Sequence, residues 1–424
     1  MAVVRATPNE QPSLAVRTAP LEEDGDLLAR LPAAAPLAWL RRGEGLVGWG
    51  EAARVDLPAE AAAQGTARFA EAARALRRLM DRAEVDDGVR VPGSGPVAFG
   101  GFTFDARSGG SALIVPRVVV GRRGGRSWIT TAAPAGGPPG GDPRPDVSAP
   151  APVGPLSWSA GVLSADAWGA AVGAAVERIR AGELEKVVMA RDVVAAAERP
   201  VDVRTLLARL ARDYPDCYTF SVDGMVGATP ELLLRREGDE VASLVLAGTR
   251  PRGASPEEDA RLAAELEESA KDREEHRYAI DSLRATLAPL CDAVEAPERP
   301  RLLRLANVQH LASPTRARLR PGVSTLDVVA AMHPTAAVGG TPTAAAVEMI
   351  RELEGMDRGR YAGPVGWIDG AGNGEFGIAL RCAQVRDRQA RLFSGCGIVS
   401  GSDPRAEVAE SESKLRVMRE ALTD

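Results

Sequence analysis

Aromatic residues make up only 4% of this 424-residue sequence, and histidine occurs three times and cysteine four times. Positive charge is not in excess either: the formal net charge is -6, with Lys and Arg dispersed among acids. A nucleic-acid binder needs a basic stripe for phosphates and usually aromatic platforms for bases, so no nucleic-acid partner is expected. A small anionic substrate remains open, since binding one takes only a few local cations. Cys217, Cys291, Cys382 and Cys396 stand far apart without CxxC spacing. That pattern argues against a disulfide framework or a zinc site and for reduced structural thiols. Long apolar runs are missing as well. The longest, Leu31 to Leu40, is too short to span a bilayer and contains Pro32 and Pro36, and the N-terminus lacks the apolar segment of a secretory signal. No membrane association and a cytoplasmic location are expected.

What is present is ordinary globular composition, 45% hydrophobic and 26% charged. Residues 132–156 concentrate Pro and Gly too densely for a regular element, and are read as a surface loop or linker between an N-terminal part, 1–155, and a C-terminal part, 156–424. The first part holds short alternating runs (Leu46 to Trp49, Val97 to Phe104, Ala112 to Val120) and a helix candidate from Ala67 to Ala83, with no evident chemistry. Beyond the linker, Ser164 caps a helix that Gly182 can end, and Lys186 to Arg191 follows as a strand. Further strands are expected at Tyr218 to Val222, Glu231 to Arg235, Val241 to Leu246, Tyr361 to Ile368, Gly377 to Val385 and Arg391 to Ile398. Ser255-Pro-Glu-Glu258 opens a charged helix reaching about Leu290. Thr341-Pro342 and Asp403-Pro404 start two more, ending before Gly355 and at Leu422. Strands and helices mix without strict alternation, which favours an α+β fold.

Two helices carry acids three apart, Asp272 with Glu275 and Glu407 with Glu410. That spacing puts each pair on one helix face, and two such faces opposed would give an oxygen-rich site for a hard cation such as magnesium. Solvated charged faces have the same spacing. Lys186 sits in an apolar strand, where burial would favour the free amine and make it a candidate base; a lysine snorkelling from a strand edge is the plain alternative. Glu231 precedes Leu232-Leu-Leu234, a run able to bury its carboxyl and turn it into a proton donor, or it is simply a surface glutamate at a strand start. Gly-rich turns at Ala247-Gly-Thr249, Val338-Gly-Gly-Thr341 and Ser394-Gly-Cys-Gly397 expose amides that could bind carboxylates. Arg381 and Lys414 add cations. His276, His310 and His333 all fall in this half, His276 equally suited to a core.

Taken in order, Gly227-Ala-Thr-Pro-Glu231, Ala247-Gly-Thr-Arg-Pro-Arg-Gly253, Lys271 to His276, His333 to Pro342, Tyr361-Ala-Gly-Pro-Val-Gly366, Gly374-Glu-Phe376 with Arg381, and Gly395 through Lys414 resemble the chorismate-utilising enzymes. The resemblance runs from about 160 to 420. It implies two large antiparallel β-sheets packed face to face with helices outside and a cleft between them, and an N-terminal subdomain, 1–155, contributing to the sheets of the chorismate-binding catalytic domain, 156–424. It assigns Mg2+ to Glu275 and Glu410, with Asp272 and Glu407 in or near its shell. Gly248, Thr249, His310, Tyr361, Arg381, Gly395 and Lys414 become the substrate-binding set, and Lys186 and Glu231 the catalytic base and acid.

Ammonia-using relatives commonly carry Gln at the position of Lys186, and aminodeoxychorismate synthases a nucleophilic Lys at that of Ala247, so water is the nucleophile the resemblance implies. The activity implied is conversion of chorismate to isochorismate, for menaquinone, siderophore or another pathway, by a monomer with no glutamine amidotransferase subunit. Salicylate synthases share the Lys and Glu pair, but His333 to Gly340 and Gly401-Ser-Asp-Pro404 look less like theirs. A catalytically silent paralogue would not need the full set. One departure is Ala336, where relatives carry proline after His-Pro-Thr.

Overall fold

In the computed structural model, residues 13–22, 25–59, 65–135, 148–304 and 308–424 are described, and the side chains of Thr249, Lys271 and Glu275 lie outside the described set. Period-two alternation dominates both halves and produces two sheets, one of 13 strands and one of 10. Pairing is antiparallel apart from one parallel contact between Leu14–Pro20 and Glu84–Asp87. Each sheet takes strands from both sides of the 132–156 segment. Leu37–Arg41 lies between Glu44–Trp49 and Tyr218–Val222 in the larger sheet, and Val97–Gly101 pairs with Pro364–Asp369 in the smaller.

The sheets pack face to face over a shared core in which Trp39, Tyr218 and Phe220 of the larger meet Phe99, Leu234, Trp367 and Phe376 of the smaller. Trp39 crosses this interface outright, donating its indole N–H to Glu375 at 2.7 Å. Helices cover the outer faces. Val203–Asp213 and Pro404–Leu422 bury Leu206, Leu207, Leu210, Leu415, Met418 and Leu422 against the larger sheet. Ala270–Leu287 lies on Glu240–Pro251 of the smaller. This is the α+β architecture expected from the sequence.

Several boundaries differ from the sequence reading; Lys186 to Arg191 extends to Ala197, Val241 to Leu246 is Glu240–Pro251, and the strand expected from Glu231 begins at Leu232. The long charged helix is two, Pro256–Glu268 and Ala270–Leu287, because Ser269 leaves helical geometry (ψ 112) and turns its hydroxyl to cap the second at Asp272 N. The expected strand from Gly377 to Val385 is Gly374–Ile378 and Cys382–Arg386, broken by Arg381 at φ +48. Tyr361 precedes its strand, which begins at Pro364. Among the described residues no helix is long and apolar enough to cross a membrane.

Candidate active site

The strand Lys186–Ala197 is central to the site. Its first residues pair with Gly340–Thr341 on one side, and the rest runs antiparallel to Gln389–Ile398, setting Ala190 opposite Gly395 and Val188 opposite Gly397. Alternation puts Lys186, Val188, Ala190, Gly395 and Gly397 on one face. The two glycines clear that face. A Cβ at 397 would stand 3.1 Å from Lys186 Cε, and one at 395 would stand 3.0 Å from the Tyr361 hydroxyl. Tyr361 is buried and stacks on Phe393 with centroids 5.0 Å apart, and burial holds its hydroxyl well above its usual pKa, so it serves as a neutral donor.

Glu231 enters from the end of Met225–Thr229, just before the strand Leu232–Glu237. Its N–H bonds Thr229 Oγ1 at 3.2 Å and its C=O accepts from Ile378 N. Though its side chain keeps an opening to the cleft, the carboxyl is enclosed by protein, and this desolvation pushes its pKa up to about 7 against the opposing charges of Arg381 and Lys186. The expected base and acid, Lys186 and Glu231, therefore share one neighbourhood with Arg381. Arg381, held in the left-handed region, forms no ion pair among the described residues, and its charge is felt by both Glu231 and His310. Non-glycine residues in that conformation carry strain and cluster at functional sites.

Gly248 (φ +77) makes a bulge in Glu240–Pro251 between Ala247 and Thr249, opposite Leu311 and His310 of Val308–Leu319. The bulge presents Gly248 backbone to the His310 ring. Burial, with Arg381 and Lys414 nearby, lowers the His310 pKa to about 4, so this imidazole is neutral near pH 7. His276 and His333 are structural. His276 bonds Ser313 Oγ at 2.8 Å and Ala247 O at 3.3 Å, and His333 donates Nε2–H to Phe104 O between the rings of Phe69 and Phe104.

The acids of Pro404–Leu422 are close together. Glu407, Glu410 and the buried Cys396 thiol bring their ligand atoms within 4.8 Å of one another. Burial and the neighbouring Glu410 charge raise the Glu407 pKa. Lys414 Nζ lies 2.6 Å from Glu410 Oε1 and 2.8 Å from Gly395 O. A pair of crowded carboxylates on one helix face, partly offset by Lys414, is a donor set that suits a hard divalent cation. Asp272 stands apart from this cluster, 2.9 Å from Arg250 Nη2, and the Glu275 side chain and that of Thr249 lie outside the described residues.

The sequence reading missed Arg250, Ser402, which bonds the Glu407 carboxylate, and Cys396. For Cys396 a signal existed: alternation between Gly395 and Gly397 turns it to the opposite face, toward the acid-bearing helix.

The chain is similar to known proteins over most of its length. It is 43% identical over 282 residues to the salicylate biosynthesis isochorismate synthase of Pseudomonas aeruginosa, covering 64% of this chain and 58% of that one. The MenF protein of Mycobacterium tuberculosis is 41% identical over 78% of this chain and 87% of its own length. The solved structure of DhbC from Bacillus anthracis superposes with a TM-score of 0.76 at 29% identity, over 93% of this chain and 98% of that one. Residues 150–423 match the model of the chorismate binding enzymes, and the chain belongs to that family.

Proposed function

We propose that this chain is an isochorismate synthase, isomerising chorismate to isochorismate with Mg2+ as its metal. The observation that carries the reading is the enclosed Glu231 carboxyl, still able to hold a proton near pH 7, in the field of Lys186 and Arg381. The names of the relatives point the same way.

In this reading Lys186 takes a proton from water as the water oxygen bonds to carbon 2 of the ring. The ring double bond shifts, and the carbon 4 hydroxyl leaves as water with the proton of Glu231. The hydroxyl is relocated with no net change in atoms, and a proton passed from Lys186 back to Glu231 through solvent resets the pair. Arg381, Lys414, the Tyr361 hydroxyl and Gly395 receive the substrate carboxylates, with Gly248 and Thr249 beside the ring and a neutral His310 next to them. Glu410 and Glu275 would hold the metal, with Glu407 and Asp272 near it; bound there, Mg2+ would neutralise the ring carboxylate. Water as nucleophile, a monomer and no glutamine amidotransferase subunit belong to the same reading.

Chromatography of the products decides it. Incubation of chorismate and Mg2+ with the pure protein should yield a mixture of chorismate and isochorismate that stops short of completion, because the isomers are similar cyclohexadienols. Equal amounts of salicylate and pyruvate would make the protein a salicylate synthase instead, and anthranilate formed with ammonium would overturn water as nucleophile.

A further inference from the structure

The buried charges Glu354 and Arg358, 1% and 3% exposed, have no assigned part in the reaction above, although Arg358 adjoins Tyr361. Glu354 ends the helix Thr343–Glu354, and Gly355 in left-handed geometry turns the chain so that Arg358 folds back on it. The contact is a two-pronged fork: Nη2 to Oε1 at 2.5 Å and Nε to Oε2 at 2.9 Å. Burying such a pair carries a large desolvation cost, tolerable only if the remaining donors and acceptors are satisfied. Here they are satisfied by backbone. Glu354 Oε1 accepts from Ala190 N at 2.6 Å, while Arg358 donates to Val188 O at 2.5 Å and to Val338 O at 3.0 Å. The guanidinium is pressed against the Phe104 ring, 4.3 Å from its centroid.

The place of these bonds matters. One edge of Lys186–Ala197 is covered by Gly340–Thr341 at residues 186–187 and by Leu156–Ala160 at residues 193–197. Between them lie the peptide groups of Val188 and Ala190, with no strand among the described residues beside them on that edge. Gly339 O accepts from Val188 N, and Glu354 and Arg358 supply an acceptor and a donor where a neighbouring strand would have done so. The same pair reaches the 333–340 turn through Val338, and Tyr361 through the Tyr361 N bond to Arg358 O.

We propose that Glu354 and Arg358 are positioning residues that stand in for a missing strand segment and fix where Lys186, two residues from Val188, points its ammonium. The inference rests on Lys186 being the base. Removing the pair leaves substrate contacts in place but loosens the base, so kcat falls by about 10- to 100-fold while KM stays within about twofold.

The decisive variant is the double replacement Glu354→Leu with Arg358→Met. Exchanging a buried ion pair for apolar groups of similar volume is often neutral or stabilising, so the fold has a route to survive while the backbone bonds go. Arg358→Lys is the second variant, because it keeps the charge but lacks the fork. Circular dichroism and thermal melting establish folding, and steady-state kinetics give kcat and KM separately. Loss in kcat at near-constant KM, in whichever of the two remains folded, is the expected result. A folded variant with wild-type kcat overturns the assignment, as does a loss confined to KM. Inactivity of the wild-type protein on chorismate would instead count against the proposed function, so the two failures are distinguishable.

Discussion

Glu231 carries a sharp expectation about pH. Its carboxyl must hold a proton to release the leaving hydroxyl, and burial pushes its pKa up to about 7 from an ordinary 4.5. Above that value the protonated fraction falls tenfold per pH unit, so kcat/KM, which reports groups of the free enzyme, should decline with a limb near pH 7. The sign for stability agrees: between the two values the folded chain keeps a proton that the unfolded chain has lost, so this group favours the fold less as pH rises. His310 cannot produce the limb, since it is already neutral above about 4. A kcat/KM profile for His310→Gln should keep the limb where the wild type has it, and movement of the limb would transfer the role. Part of this was legible beforehand. A glutamate directly before three leucines and a lysine opening an apolar strand marked both as candidates, while their local sequence left a surface glutamate and a snorkelling lysine open as well. Arg381 was not legible as a break in a strand, because its apolar neighbours on both sides read as one continuous run and only tertiary packing sets it at positive φ.

At the scale of elements, the C-terminal helix was readable from its Asp403-Pro404 start, yet what Glu407 and Glu410 face was not, because helical spacing says which side chains share a face and nothing about what opposes it. Glu410 is about half exposed and its carboxylate is tied to Lys414. Replacing it should therefore spare the fold and damage the metal site. Glu410→Gln is expected to melt within a few degrees of the wild type, to bind Mg2+ at least about tenfold more weakly by calorimetry, and to lose turnover. Unchanged Mg2+ affinity would remove Glu410 from the ligand set. The break at Ser269 shows a similar limit: the serine's capping hydroxyl was visible in sequence only as one polar residue in a charged, helix-favouring stretch.

For the whole molecule, the two-sheet arrangement followed from the family resemblance, while composition and alternation alone gave only a mixed fold. The interleaving has an experimental consequence. A fragment of residues 156–424 would lose Leu37–Arg41 from beside Tyr218–Val222, and with it Trp39 from the centre of the interface. Such a fragment is expected to be insoluble or to lack a cooperative melting transition, whereas the full chain should melt with one transition shared by both sheets. A fragment with a sharp transition of its own would make the C-terminal part an independent domain.

Trp39 and its strand also set a schedule for synthesis on the ribosome. Ser221 reaches back to Pro36 across 185 residues and Trp39 bonds Glu375 across 336. At roughly 5–20 residues per second, the first strands emerge tens of seconds before their partners exist. Within that interval Glu44–Trp49 can already pair with Val118–Arg123, and that strand with Arg126–Pro134, but the other edge of Leu37–Arg41 stays open to pairing with other chains until Tyr218–Val222 is made. The Leu37–Arg41 edge therefore needs protection in the nascent chain until Tyr218–Val222 has emerged, and the contact of Trp39 with Glu375 can form only later still.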